Sequence, residues 1–197
     1  MSSDRQLGQL IASLPTVSVD GRYYRFTTRS RIKTAFNGSN HGGRWGPPGA
    51  FRVLYLADDY ESCVIEAYRH ATDPGLDPEP QPVNLGLVTC DVSVTNILDL
   101  RSATARHEVG LEPAILFSEP QGPDGEVYRA CSLVAQVAHQ LNRHGLIVPA
   151  ATQRGHTLAL FTDLLPHEEV PTPIGGVATW TQLPADPRRL RLITSES

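Results

Sequence analysis

Four side chains in the first third of the chain combine cationic, aromatic and acidic chemistry: Arg25, Arg44, Tyr55 and Glu66. An arginine guanidinium binds phosphate groups through paired, charge-assisted hydrogen bonds. The face of a tyrosine ring can stack on a flat cationic ring. A carboxylate can stabilise the positive charge that develops when a glycosidic bond breaks. Together these are the parts needed to hold a dinucleotide and cleave a glycosidic bond.

Taken singly, each of these residues also has a structural interpretation. A glutamate on a helix is usually a solvated surface charge, and an arginine on a strand is often a surface or salt-bridge residue. The turn around Arg44 could serve only to pack the indole of Trp45 on the core, and Tyr55 could be an ordinary core tyrosine. Their joint order along the chain is what favours a binding site.

The elements expected to position the two arginines lie early in the chain. Residues 22–27 are rich in aromatic and β-branched side chains, which predicts a strand that carries Arg25. Arg44 follows a loop over residues 37–43 whose glycines allow the backbone to approach a ligand closely.

A predicted strand over 52–57 and the helix after it should position Tyr55 and Glu66. Alternation along the strand places Tyr55 on the same face as Val53 and Ala57. Asp58 or Asp59 is expected to cap the helix, which runs to about residue 70. Glu66 lies at the edge of the predicted buried stripe, which consists of Tyr60, Cys63, Val64 and Ala67.

The remaining pattern predicts an α+β fold. Further strands are expected at 84–92, 96–100, 146–148 and 158–161, and further helices at 5–13, 102–109 and 126–143, the last ended by Gly145. Residues 72–83 read as a loop, 164–185 as an irregular tail, and 190–193 as an edge strand. Because strands outnumber helices without regular alternation, we expect one domain over 1–197, a mixed, mostly antiparallel sheet with flanking helices.

Composition and charge exclude several classes of function. The chain has 197 residues and a formal net charge of -4, which argues against non-specific, direct nucleic-acid binding. No segment approaches the ~18 apolar residues that a membrane helix requires. The three cysteines, Cys63, Cys90 and Cys131, lie in apolar stretches and indicate buried free thiols in a reducing compartment, hence a cytoplasmic protein. The spacing of His139 and His144 matches no metal site, so no metal is expected.

Several of these motifs resemble, in order and spacing, the RES-domain toxins, a family named for Arg, Glu and Ser residues. The resemblance covers roughly residues 20–161 and rests on Tyr24-Arg25, Gly42-Gly43-Arg44-Trp45, Pro47 to Gly49, the strand at 53–57 and the helix with Glu66. It implies a fold similar to ADP-ribosyltransferases, NAD as a substrate rather than a cofactor, and a toxin–antitoxin pair with an Xre-like helix-turn-helix antitoxin.

The resemblance also implies roles for individual residues. Arg25, Arg44, Tyr55 and Glu66 match family positions, so Glu66, Arg25 and Tyr55 are the expected catalytic residues, and Arg25, Arg44 and Tyr55 the expected substrate-binding residues. The chain departs from the family at its serine, because Ala150 and Ala151 stand where many members have one. Ser132 is the nearest alternative and is the remaining substrate-binding candidate.

The predicted function is that of a toxin enzyme that degrades NAD. It would cleave the nicotinamide–ribose bond with phosphate or water as acceptor, and its antitoxin would neutralise it by covering the cleft. A protein ADP-ribosyltransferase with the same site is one alternative. An inactive relative that only binds its antitoxin is another, motivated by the missing serine.

Overall fold

A six-stranded sheet with helices around it forms the framework of the protein in a computed structural model that describes residues 2–71, 83–117 and 126–188. The described strands are β1 (Thr16–Thr28), β2 (Val53–Ala57), β3 (Leu85–Asp99), β4 (Gly145–Pro149), β5 (His156–Phe161) and β6 (Thr172–Trp180). The described α-helices are α1 (Ser2–Ser13), α2 (Tyr60–Ala71), α3 (Ala103–Glu108), α4 (Pro113–Phe117) and α5 (Glu126–Gln140), with 3₁₀ segments at Arg29–Thr34 and His167–Glu169. The predicted loop at 72–83, apart from residue 83, and the predicted edge strand at 190–193 lie outside the described residues.

The sheet is mixed and mostly antiparallel, as predicted. Its strand order is β1-β2-β5-β4-β3-β6, and β3 also pairs with β1, so five strands form a closed circuit of pairings. The β3–β4 ladder is parallel, whereas the other described ladders are antiparallel. The predicted α+β class with flanking helices is thus confirmed, whereas the likeness to ADP-ribosyltransferases and the single domain over 1–197 stay predictions.

The ladder between β1 and β2 is the shortest of this circuit. β1 pairs with β3 over nearly its whole length, from Thr16↔Leu98 to Thr28↔Leu85. The described ladder between β1 and β2 contains the single pair Tyr24↔Ala57. Beyond that pair the backbones of the two strands are not joined to each other, which leaves a gap in the sheet.

Three apolar clusters surround this framework. One lies between β2, β4 and β5 and the helices α1 and α5, and it includes Trp45 and Phe161. A second lies within the strand circuit and includes Leu54, Leu56, Cys90 and Leu158. The third packs α2 on the sheet through Cys63, Val64 and Ala67 against Leu85, Leu87 and Trp180. Tyr60 does not belong to the buried stripe predicted for α2, because it is 40% exposed and meets Tyr24 edge-on.

Two predictions about the strands were wrong. The predicted strands at 84–92 and 96–100 form one strand, β3. Its pairing with β1 continues across an irregularity near Asn96, which has a φ of 56°. The predicted irregular tail contains β6, which pairs with β3. Proline removes a backbone donor, and a sheet tolerates that at an edge, where β6 lies.

The predicted end of α5 was also wrong. The helix ends at Gln140 rather than near Gly145. Asn142 adopts the left-handed conformation with a φ of 55°, and the Arg143 N–H donates to the Ala138 carbonyl at 3.0 Å. This is the Schellman arrangement, in which asparagine can take the place of glycine. Gly145 instead opens β4.

Candidate active site

The gap between β1 and β2 opens into a cavity of about 770 Å³. Its walls come from the end of β1, from β2, from one face of α2 and from segments that the rest of the chain brings in. Among the described residues, those on its walls include Tyr24 to Thr28, Arg31, Arg44, Trp45, Tyr55 to Ala57, Ser62, Cys63, Glu66, Arg69, His70, Leu85, Leu116, Val148, Pro149, Ala151, Thr157 and Arg188.

The sequence-predicted residues meet at this cavity, with one exception. Arg25, Arg44, Tyr55 and Glu66 all line it. Ser132 is only 8% exposed and is not among the lining residues; its hydroxyl donates to the backbone carbonyl of Arg44 at 3.4 Å. Ser132 therefore stands behind the wall, where it supports the backbone of Arg44.

Arg25 spans the gap in the sheet. Its Nη1 donates to the Tyr55 carbonyl at 2.9 Å, a carbonyl on the β2 edge that faces β1. Its Nε is buried and has no hydrogen-bond partner in the described part of the chain. Burial lowers the pKa of Arg25, but a guanidinium stays charged at neutral pH. Because a buried cation without a counter-charge is costly, an anion in the cavity would be stabilised here.

A tight turn carries Arg44 and Trp45 to the cavity wall. The turn is closed by reciprocal backbone bonds between Gly43 and Gly46, at 2.9 and 3.3 Å. Trp45 is 2% exposed, and its backbone N–H donates to the Tyr55 hydroxyl at 3.0 Å. A Cβ on Gly43 would lie 2.8 Å from that hydroxyl, so the turn can approach Tyr55 this closely only with glycine at this position.

Arg44 links the turn to α4. Its Nη1 donates to the carbonyls of Ile115 and Leu116, at 3.1 and 3.0 Å. These carbonyls lie in the last turn of α4, where a cation is favourably placed. Arg44 therefore holds a wall of the cavity in place and lines it as well.

Helix α2 supplies the acidic group. Asp59 caps the helix, because its Oδ1 accepts from the Ser62 N–H at 2.7 Å. Ser62, Glu66 and Arg69 follow at steps of four and three, and therefore share the face that lines the cavity. Glu66 Oε1 lies 3.0 Å from Arg69 Nη1, and the Glu66 side chain is 43% exposed. The carboxylate is thus oriented by a neighbour and still open to the cavity.

Sequence comparison assigns the chain to a family. The chain matches the RES domain over residues 22–185. It belongs to the RES-domain family. NAD(+) phosphorylase MbcT of Mycobacterium tuberculosis is 33% identical over 150 residues, which cover 75% of this chain and 77% of that protein. A probable NAD(+) phosphorylase of the same organism is 27% identical over 166 residues, which cover 83% of this chain and 75% of the relative.

A solved structure shows the same fold. The crystal structure of the M. tuberculosis MbcT–MbcA toxin–antitoxin complex matches this RES domain with a TM-score of 0.73 at 26% sequence identity. The match covers 89% of this chain and 92% of that chain. The resemblance to RES-domain toxins that the sequence motifs indicated is therefore confirmed.

One hydroxyl on the wall of this RES domain was missed by sequence reasoning. Ser62 is 1% exposed, lines the cavity and lies 2.6 Å, Oγ to Oγ1, from Thr152. Thr152 directly follows Ala151, in the segment where many members of the family have a serine. The signal that could have revealed Ser62 is its position one helical turn before Glu66.

Cys63 lines the cavity with a thiol that is poorly suited to act as a nucleophile. Burial raises the pKa of its thiol to about 12, so the thiol is neutral near pH 7.

Among the described residues, no group of three His, Cys, Asp or Glu side chains could hold a metal ion. Within the same ranges, no helix has the length and apolar character needed to cross a membrane.

Proposed function

We propose that this RES-domain protein is a toxin that degrades NAD by phosphorolysis. The nicotinamide–ribose bond would be cleaved and the ADP-ribosyl group transferred to inorganic phosphate. The observation that carries the proposal is the meeting of Arg25, Tyr55 and Glu66 on one cavity, in a chain whose relatives include proteins named NAD(+) phosphorylase.

Glu66 is the proposed stabiliser of the reacting ribose. As the bond to nicotinamide lengthens, the ribose carbon gains oxocarbenium character. A carboxylate that binds a ribose hydroxyl stabilises this charge, and Arg69 holds the Glu66 carboxylate in place at 3.0 Å. Nicotinamide leaves as a neutral molecule with the bonding electron pair, and a phosphate oxygen forms the new bond to the same carbon. NAD is the substrate, and the proposed reaction uses no cofactor and no metal.

The arginines and the tyrosine have proposed binding roles. Arg25 is a buried cation whose Nε has no hydrogen-bond partner among the described residues, which suits it to a phosphate of the dinucleotide. Arg44 lines the same cavity from the turn. The ring of Tyr55 would stack on the nicotinamide, while its hydroxyl accepts a hydrogen bond from the backbone N–H of Trp45. Ser132, behind Arg44, would act only by supporting it.

The partner is proposed to be an antitoxin. MbcT, to which the chain is similar, was solved in a complex with the antitoxin MbcA. An unrestrained NAD consumer would harm the cell that makes it, so we expect an Xre-like helix-turn-helix protein to cover the cavity. We place the reaction in the cytoplasm, where NAD is available and the three free, buried cysteines would stay reduced. An antitoxin complex that retains full activity would contradict the proposed blocking.

The function is tested by mixing the purified protein with NAD and phosphate and following nicotinamide release. We expect phosphorylated ADP-ribose as the product, and a loss of rate of about 10²–10³ in Glu66→Gln. Glu61→Gln is the matched control, since Glu61 lies on the same helix and pairs with Arg154 away from Glu66.

The products separate the alternatives. No nicotinamide release by the wild type would sink the proposal and favour an inactive antitoxin-binding relative. Equal release by Glu66→Gln would sink the proposed role of Glu66. Free ADP-ribose as the product would show that water is the acceptor. Labelled ADP-ribose attached to protein, with little free product, would show a protein ADP-ribosyltransferase.

A further inference from the structure

The cavity is strongly cationic although the chain as a whole is acidic. Its described lining contains five arginines and one histidine but a single carboxylate, that of Glu66. The formal net charge of the chain is -4. A cleft lined by one sign of charge concentrates ligands of the opposite sign. The cavity therefore favours a ligand that carries negatively charged groups.

The lining cations come from different elements. Arg25 and Arg44 donate to backbone carbonyls of β2 and α4. His70, in the last turn of α2, contacts Phe26 of β1, with ring centroids 5.9 Å apart. Arg31 lies on the 3₁₀ segment that follows β1, and the Arg188 guanidinium lies over Tyr68 of α2, so both cations come from elements next to the last turns of α2.

Arg31 is available for a ligand. It is exposed, and within the described residues its side chain makes no hydrogen bond or ion pair. Arg69, the neighbouring cation on α2, differs because it is paired with Glu66 at 3.0 Å. An arginine that lines a cavity without a protein partner can give its full fork of donors to an anion.

Arg188 is brought to the cavity by the segment after β6. The Tyr68 hydroxyl donates to the Pro184 carbonyl at 2.7 Å, which fixes this segment to α2. Asp186 accepts from Arg188 Nε at 3.0 Å and from Nη2 at 2.8 Å, and the Asp186 side chain is only 9% exposed. The Arg188 guanidinium also lies 5.7 Å from the centroid of the Tyr68 ring. These contacts hold the guanidinium in position, while Asp186 offsets part of its charge.

We propose that Arg31 and Arg188 form a second anion subsite, which binds a phosphate of the dinucleotide on the side away from the cleaved bond. This inference rests on the proposed function. The attacking phosphate must come within about 3–3.5 Å of the ribose carbon beside Glu66. His70 lies one turn, about 6 Å, farther along α2 than Glu66, so cations at this end are better placed for a distant part of the substrate than for the acceptor.

Steady-state kinetics with Arg31→Gln and Arg188→Gln test the subsite. Loss of one charged hydrogen bond at an exposed site should raise KM for NAD about three- to tenfold. We expect kcat to stay within about twofold, because uniform binding is lost rather than transition-state binding. Arg31→Gln should have the larger effect, since Asp186 offsets the charge of Arg188. KM for phosphate should not change.

Arg29→Gln is the matched control, because Arg29 lies in the same 3₁₀ segment and is exposed but does not line the cavity. An unchanged KM for NAD in both test variants would overturn the subsite. A raised KM for phosphate alone would also overturn it, since the subsite would then hold the acceptor.

Calorimetric binding of ADP-ribose separates this inference from the proposed function, because binding requires no turnover. ADP-ribose should bind about three- to tenfold more weakly to Arg31→Gln than to the wild type or to Arg29→Gln. If the wild type shows no turnover but the Arg31 variant binds ADP-ribose more weakly, the proposed reaction fails and the subsite stands. Equal binding by all three proteins would overturn the subsite.

Discussion

Replacing Tyr55 by phenylalanine separates the hydroxyl of this side chain from its ring. The hydroxyl accepts from the backbone N–H of Trp45 at 3.0 Å, and Trp45 is 2% exposed. Removing the acceptor loses a hydrogen bond and leaves a poorly solvated donor, which costs about 1–3 kcal/mol. Because the cavity can admit water beside the turn, we expect the lower half of that range. A loss of about 1–2 kcal/mol corresponds to a fall in Tm of roughly 2–8 °C for a domain of this size.

The effect of Tyr55→Phe on activity should differ from that on stability. The phenylalanine ring can still stack on nicotinamide, so kcat should stay within about threefold of the wild type. The turn that carries Arg44 is held less firmly, so KM for NAD should rise by a similar factor. Thermal unfolding and NAD turnover measured on the same preparation check both expectations.

Two comparisons make this prediction refutable. Tyr23→Phe is a control at another tyrosine of the core, whose hydroxyl makes no hydrogen bond in the described part of the chain. It should leave Tm within a degree or two of the wild type. If Tyr55→Phe abolishes turnover while Tm is unchanged, the hydroxyl acts in the chemistry and its assignment to the turn is wrong.

Two further predictions concern ionisation. Although burial alone would raise it, hydrogen bonds from Thr95 and His144 hold the pKa of Glu169 below its ordinary value. Its stabilising effect is therefore present above about pH 4.3 and lost as pH falls through the folded-state pKa. Urea unfolding should show Glu169→Gln about 1–2 kcal/mol less stable at pH 7, with a smaller difference at pH 3; an undiminished difference would contradict this. Burial raises the pKa of Cys63 to about 12, so a thiol reagent at pH 8 should find it about 10³-fold less reactive than a free cysteine; rapid labelling of the native protein would contradict the assignment.

Local sequence signals were sufficient to predict the strand β2 and the helix α2 that follows it. Alternation along 53–57, a capping aspartate and a helical stripe are encoded within a few residues, and Asp59 caps the helix as one of the two candidates. The chemical types of Arg25, Arg44, Tyr55 and Glu66 and their order also indicated the family. Their roles in binding and catalysis stay predictions.

Features that depend on distant parts of the chain were not predictable in this way. The residues of β6 look irregular because prolines and glycines interrupt them, and only the free edge of β3 makes them a strand. Ser132 was named as the nearest alternative to the family's serine, yet packing places it behind Arg44. Arg188 reaches the cavity because Tyr68 binds the Pro184 carbonyl, a contact that no local pattern encodes.

The contacts of the site residues decide which substitutions can be interpreted. Arg25 bridges β1 and β2, Arg44 holds α4, and the Tyr55 hydroxyl holds the turn. Replacing any of these residues weakens a wall of the cavity, so a loss of activity could reflect structure as well as chemistry. Glu66 differs, because it pairs with the nearby Arg69 on the same helix and its side chain is 43% exposed. Its removal should cost at most about 0.5 kcal/mol of stability, and Glu66→Gln is therefore the substitution whose effect on NAD turnover reports most directly on the chemistry.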